Sequence, residues 1–281
     1  MSRAFWLVGL VMIGCTGEVR EGQAKADPKP ADRSAVYREQ FVEASLSRSK
    51  RVDAGRALLG DAEGVSFLVA QYGRAHPGVV LALLDSLVQR NPGAAAELAT
   101  GLMASVSGEE KLRFEALLLQ LGQAAVTPLV ALAGSDVDWQ TVMQALDALG
   151  KLKAREGIGV MRARLQDSEV WVRMSAAHAL GEVGGGDVVE ALSEAVSDSV
   201  DTVVTAALIG LGRTGDLRAR AVCAQQLSHA NPRVRGAAVS ALARLGGGES
   251  IRLLEGLEDD ADAGVRYKVQ QALQQLRGRD R

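Results

Sequence analysis

The chain has 281 residues, 47% of them apolar and 23% charged, a balance that fits a globular fold and excludes a disordered chain. Lys and Arg total 32 against 34 Asp and Glu, so the net charge of −2 offers no basic footprint, and no nucleic-acid partner is expected. Two cysteines exclude a disulfide framework, and 4% aromatic residues amid abundant Ala, Leu, Gly and Val suit close helix packing.

Residues 1–14 carry one basic residue, Arg3, then an apolar run from Ala4 to Ile13 and Gly14. The run is shorter than the roughly 20 residues a permanent membrane helix needs, and its proportions predict a secretory signal peptide. Met12-Ile13-Gly14-Cys15 resembles the lipobox of bacterial lipoproteins, with a small residue before the cysteine, Met where Leu is commoner, and a minimal positive region. The resemblance implies that Cys15 is lipidated and becomes the first residue of an anchored protein. With Thr16 rather than Asp next, it also implies an outer-membrane address facing the periplasm in a Gram-negative source.

Residues 15–34 are polar, carry Pro28 and Pro30, and read as the lipidated Cys followed by a flexible linker. From 35 to 107 the apolar spacing is helical, with His-Pro-Gly and Asn-Pro-Gly breaks, and predicts degenerate amino-terminal repeats.

From 108 to the end the chain repeats with a period of 31. Segments starting at Val172, Val203, Val234 and Val265 keep that spacing, and it extends back to Thr141 and Glu110. Such a period predicts stacked helix pairs, each unable to bury its apolar face alone. Leu149, Leu180, Leu211, Leu242 and Leu273 fall at one repeat position and predict the continuous core. Ala148, Ala179, Gly210, Ala241 and Ala272 precede them and predict close helix approach. Asp136, Asp167, Asp198 and Asp260 recur before the helices as expected amino-terminal caps, with Arg173, Arg235 and Arg266 near enough to pair with them. Asp187 is expected to cap the second helix of its unit. Lys268, Gln270 and Gln274 predict a polar carboxy-terminal cap, Cys223 a core position, and Trp139 and Trp171 packing between units.

The run Asp167-Ser-Glu-Val-Trp-Val-Arg173 followed by Ala-Ala-x-Ala-Leu-Gly resembles HEAT-like repeats, in particular the short type of the phycobilisome lyases, and residues 229–245 are similar. The resemblance implies an all-α, right-handed alpha solenoid of antiparallel helix pairs, an armadillo-like superhelix, with the Val-Arg helices lining its concave face. It also implies an alternative function as a phycobilin-lyase-like chromophore-handling enzyme or chaperone. The export signal weighs against that alternative, and also against a HEAT-like DNA glycosylase.

Chemical motifs are sparse. Gly210, Gly212 and Gly215 match a dinucleotide fingerprint, but they end a helix instead of starting one. Ser47-x-x-Lys50 lacks the companion elements of penicillin-recognising enzymes. His76, His178 and His229 stand far apart without ligand spacing, so no metal and no cofactor are expected. No catalytic residue is named. The outward stripe of the Val-Arg helices carries the candidate partner-binding residues Met143, Met174, His178, Ile209, Arg213, Arg244, Tyr267 and Gln271. The expected function is a membrane-anchored, non-catalytic lipoprotein scaffold of the bacterial envelope that binds a protein or peptide.

Overall fold

The computed structural model describes residues 30–60, 62–72, 77–106 and 108–279, so Cys15, the signal segment and His76 lie outside the described residues. The helices in chain order are α1 (Pro30–Val42), α2 (Arg48–Leu58), α3 (Ala62–Tyr72), α4 (Pro77–Arg90), α5 (Pro92–Ser105), α6 (Glu109–Leu121), α7 (Val126–Gly134) and α8 (Trp139–Lys151). They continue as α9 (Ile158–Arg164), α10 (Val170–Val183), α11 (Val189–Ala195), α12 (Asp201–Thr214), α13 (Ala219–Gln225), α14 (Pro232–Leu245), α15 (Gly248–Glu255) and α16 (Ala263–Arg279). No strand occurs among the described residues. α1 starts at Pro30, so the last residues of the segment read as linker are helical.

The fold is an alpha solenoid. Even-numbered helices from α2 to α16 form one row and odd-numbered helices from α3 to α15 the other, joined by turns short enough to force antiparallel neighbours. In the later half, α8, α10, α12, α14 and α16 pack directly on one another, while α9, α11, α13 and α15 barely touch. Close contact on one side and separation on the other bends the stack toward the even row, which becomes its inner face.

Glycine and alanine set that closeness. A Cβ on Gly150 would lie 2.9 Å from the Cα of Ala179, one on Gly181 2.5 Å from the Cα of Gly210, and one on Gly212 2.7 Å from the Cα of Ala241. The predicted small positions are thus one side of each contact, and glycines recurring at one repeat position are the other. The predicted core leucines Leu149, Leu180, Leu211 and Leu242 are fully buried and Leu273 nearly so.

The earlier half is built differently. α5 is its centre, touching α3, α4, α6 and α7, and it contributes a buried Ala-Leu-Met surface. Rings fill the wider gaps around it: Phe41 meets Phe67 edge-on at 6.1 Å and Tyr72 meets Phe114 at 5.9 Å. By length and composition Glu109–Gly134 would suffice to cross a membrane. Gly122, with φ +58°, breaks that stretch into α6 and α7, and the fully buried Leu118 and Leu129 tie both to the core.

Three local expectations are corrected. Asp167, Asp198 and Asp260 do accept backbone amides, but from Glu169, Val200 and Asp262, two residues on and ahead of the helix, at 2.9, 2.8 and 2.8 Å. They close Asx turns instead of capping helices, and the cap of α8 is Asp138 in place of Asp136. Asp187 binds Arg155 at 2.6 Å in a 3-10 turn and caps nothing. Trp139 is half-buried against the core, but Trp171 is 53% exposed. The true repeat equivalent of Trp139 is Val170, and one step along a helix turns a side chain by about 100°.

Candidate functional site

The inner row places three outward positions per helix, four residues apart, and repeats them from α8 to α16. In order they are Met143, Asp147 and Lys151; Met174, His178 and Glu182; Thr205, Ile209 and Arg213; Gly236, Ser240 and Arg244; and Tyr267, Gln271 and Gln275. Met143, Met174 and Ile209 are half-buried, and Met174 packs on the core. His178, Arg213, Arg244, Tyr267 and Gln271 are exposed. Gly236 is buried beneath Lys268, whose Nζ lies 3.0 Å from where a Cβ would stand.

The first part of this surface is a charge-matched ladder. Lys151 donates to Glu115 of α6 at 2.7 Å, a bond that raises the lysine's pKa. Burial pushes the Asp147 carboxyl above the usual carboxylate range, against the pull of His178 and Lys151. His178 stands 3.8 Å from Glu182, which also accepts from Arg213 on the next helix. Acid and base therefore alternate from α6 to α12.

The ladder then stops. Between α14 and α16 lies a groove of about 450 Å³ lined by Ser240, Arg244, Tyr267, Lys268, Gln271 and Gln275 over a floor of Val239, Ala243 and Ala272. Three residues singled out from the sequence, Arg244, Tyr267 and Gln271, meet here, while Met143, Met174, His178, Ile209 and Arg213 lie further along the row. Tyr267 is 63% exposed, the largest exposure among the big apolar side chains of the described residues. The sequence assigns Lys268 only to the polar cap. Its place in the groove follows from the neighbouring helix, which a period count along one helix does not reveal.

A second cleft, of about 620 Å³, opens on the other row, between α3 and α7 above α5. Small and apolar side chains line it, with Glu97 its only charged residue. It is a gap left where helices stand apart, and two of its polar side chains, Thr100 and Ser135, donate their hydroxyls to helix carbonyls. Among the described residues no cluster of His, Cys, Asp and Glu is arranged to hold a metal.

A family of HEAT repeats matches residues 126–211 and 205–274, which together cover more than half of the chain. This protein belongs to the HEAT-repeat family. The chain matched in the complex of CpcE and CpcF of phycocyanin lyase from Nostoc sp. PCC7120 is 20% identical, with 53% of this chain and 98% of that chain covered and a TM-score of 0.46. A designed armadillo repeat protein in complex with the peptide (KR)4 is 19% identical over 75% of this chain and 99% of that one, with a TM-score of 0.46. Human deoxyhypusine hydroxylase is 15% identical over 88% and 96%, with a TM-score of 0.35. None of the curated proteins is significantly similar to this chain.

Two of the HEAT units are closed by an arginine that reaches forward. Arg173 grips Asp198 through two nitrogens at 2.7 and 3.2 Å and donates to the carbonyls of Asp167 and Ser168. Arg235 does the same with Asp260, at 2.8 and 2.7 Å, and with the carbonyls of His229 and Ala230. The arginine bonds hold Asp198 and Asp260 below the usual carboxylate range. Arg266, at the last unit, donates to the carbonyls of Asp260 and Ala261.

Sequence reasoning missed the junction of the two halves. Buried Lys111 bonds Thr141 at 2.6 Å and Asp138 at 3.1 Å. Burial works to raise the Asp138 carboxyl, yet bonds from Thr141 and Lys111 outweigh it and the carboxyl sits low.

The remaining motifs have structural roles in the HEAT stack. Gly210 meets Gly181, Gly212 meets Ala241, and Gly215 ends α12 in the left-handed conformation at φ +69°. Ser47 caps α2 by accepting from the amide of Lys50. Cys223 is fully buried, and desolvation pushes its thiol up to about 12.

Proposed function

We propose that the protein is a lipid-anchored, non-catalytic scaffold of the bacterial envelope that holds a protein or peptide on the inner face of its HEAT stack. The observation that carries this reading is the convergence of Arg244, Tyr267 and Gln271, all exposed, on a groove of that face. HEAT stacks present such a face without further ordering, so a ligand meets a preformed surface and pays little conformational entropy there. The anchor rests on Met12-Ile13-Gly14-Cys15, and acyl chains would keep the stack at the membrane.

Two measurements test it. A Cys15→Ala chain, compared with wild type by membrane fractionation, is expected to leave the membrane while keeping its helical circular dichroism; its retention would overturn the anchor. A photo-crosslinking amino acid placed at Tyr267 or His178 is expected to capture the same partner in the native host, whereas one at Leu217, exposed in the turn after α12, is expected to capture none. Capture from Leu217 alone would move the binding surface off the inner row.

A further inference from the structure

We infer that the groove between α14 and α16 takes an acidic, extended peptide segment; this deepens the scaffold reading above and rests on it. The charge pattern of the inner row points there. At the third outward position the row reads Lys151, Glu182, Arg213, Arg244 and Gln275. Lys151 is matched by Glu115 and Arg213 by Glu182, so both cations that precede Arg244 at this position meet a carboxylate across a helix boundary. Arg244 comes next, between Arg213 and Gln275, and no carboxylate lines its groove. Lys268 adds a second cation on the facing helix. Among the described residues neither side chain takes part in a hydrogen bond or an ion pair, whereas Lys151 and Arg213, the cations before Arg244 at the third outward position, are both paired.

Two unmatched cations beside each other raise the potential of a groove that carboxylates would lower. The remaining groups suit a peptide. Gln271, Gln275 and Ser240 offer both donors and acceptors, which an extended backbone needs, and the exposed ring of Tyr267 offers a flat apolar surface to an aliphatic side-chain stem. Nucleic acid is a poorer fit. A phosphate backbone is gripped by many cations along a track, and here two cations stand in a chain of net charge −2.

The test is fluorescence anisotropy with the full chain in detergent and four labelled probes: octaglutamate, octaglutamine, octalysine and a single-stranded DNA octanucleotide. Octaglutamate is expected to bind about tenfold more tightly than octaglutamine at low salt, to weaken as salt rises, and to lose about tenfold in the Arg244→Glu/Lys268→Glu chain. A milder Arg244→Gln/Lys268→Gln chain, checked by circular dichroism, covers the case in which charge reversal disturbs the fold, and is expected to lose a smaller factor in the same direction. Equal binding of octaglutamate and octaglutamine, or unchanged affinity in both variants, would overturn the assignment, as would tighter binding of octalysine; stronger binding of DNA than of octaglutamate would replace the peptide with a nucleic acid. Crosslinking from Tyr267 that persists when octaglutamate fails would leave the scaffold face standing and remove only the charge of its ligand.

Discussion

The two halves of this solenoid use different chemistry for the same task of stacking helix on helix. Up to Phe114 the interfaces are filled by rings, Phe41 on Phe67 and Tyr72 on Phe114, around the buried helix α5. After it there is no phenylalanine at all, and the even-row helices touch through Gly150, Gly181 and Gly212 against Ala179, Gly210 and Ala241. A ring fills whatever gap it is given and adapts its angle, so successive interfaces need not match. A glycine facing a backbone allows one distance and one register. The second solution therefore writes its period into the sequence, and the first does not.

The largest effect is expected where the adaptable solution loses its filler. Phe114→Ala removes a ring that is 1% exposed and leaves Tyr72 without its partner, at a cost of about 3–5 kcal/mol. In a Trp6→Phe/Trp171→Phe background the remaining Trp139 sits in the later half, so its fluorescence follows that half alone. Loss of helical signal before the Trp139 transition is the expected outcome, and a single shared transition would show that the halves unfold as one.

The rigid solution should fail through addition instead of removal. Gly181→Ala drives a methyl to 2.5 Å from the Cα of Gly210, where no side chain can swing aside, and about 1–3 kcal/mol of overpacking should appear as an earlier Trp139 transition. Gly159→Ala is the control, since nothing lies within 4 Å of its Cβ and the site is exposed in α9. That change should instead stabilise by up to about 1 kcal/mol through helix propensity. Equal destabilisation by both would mean that the glycine contacts do not set the spacing.

These contacts also explain what can be read from the sequence. Leu149, Leu180 and Leu211, with the small residues before them, sit at fixed register because Gly150, Gly181 and Gly212 meet the backbone of the next helix at one repeat position, and so the solenoid is visible from the spacing of its repeats. The packing around α5 is not, because Phe41 and Phe67 on one side, Tyr72 and Phe114 on the other, meet across unequal stretches of chain that no period links. At the candidate site, the shared face of Arg244, Tyr267 and Gln271 follows from helical periodicity. That Lys268 joins them does not, because it depends on the buried Gly236 leaving room across the interface. The turn aspartates are legible in order but not in role, since an Asx turn and a helix cap differ by where the chain enters the helix.

Within the later half, two kinds of carboxylate should respond oppositely to pH. Asp198 and Asp260 have lowered values, so their contribution is present above the unfolded carboxylate value near pH 4 and is lost as pH falls through the folded one. Asp147 has a raised value because of burial, so its ionised form costs stability once pH exceeds the unfolded value, and the whole cost is present above the folded one. Asp147→Asn keeps a group able to bond Ser175 and is expected to raise the melting temperature at neutral pH, with the gain vanishing below about pH 4. A gain that persists at pH 3 would assign the effect to something other than charge.

The smallest effect concerns the unit in which the arginine clasp is missing. Arg173 reaches Asp198 and Arg235 reaches Asp260 across the same interval of chain, but the residue between them in the repeat is Val204, and the same interval beyond it stands His229. Both ends of the clasp are replaced together. His229 keeps half of the aspartate's work, because its Nδ1 accepts from the amide of Asn231 at 3.1 Å, as Asp198 accepts from Val200, and Val204 turns inward and is 2% exposed. Val204→Arg alone should destabilise, since the guanidinium finds the turn carbonyls but no carboxylate, and His229→Asp alone should destabilise slightly, because the turn bond survives but a carboxylate replaces the imidazole that stands 3.8 Å from Asp201. Together they should recover about 0.5–1 kcal/mol relative to the sum of the two, measured as the coupling energy of a double-mutant cycle from urea unfolding. A coupling energy of zero would show that Arg173 and Arg235 hold their units through the backbone carbonyls alone, and that the carboxylates of Asp198 and Asp260 serve only the turn.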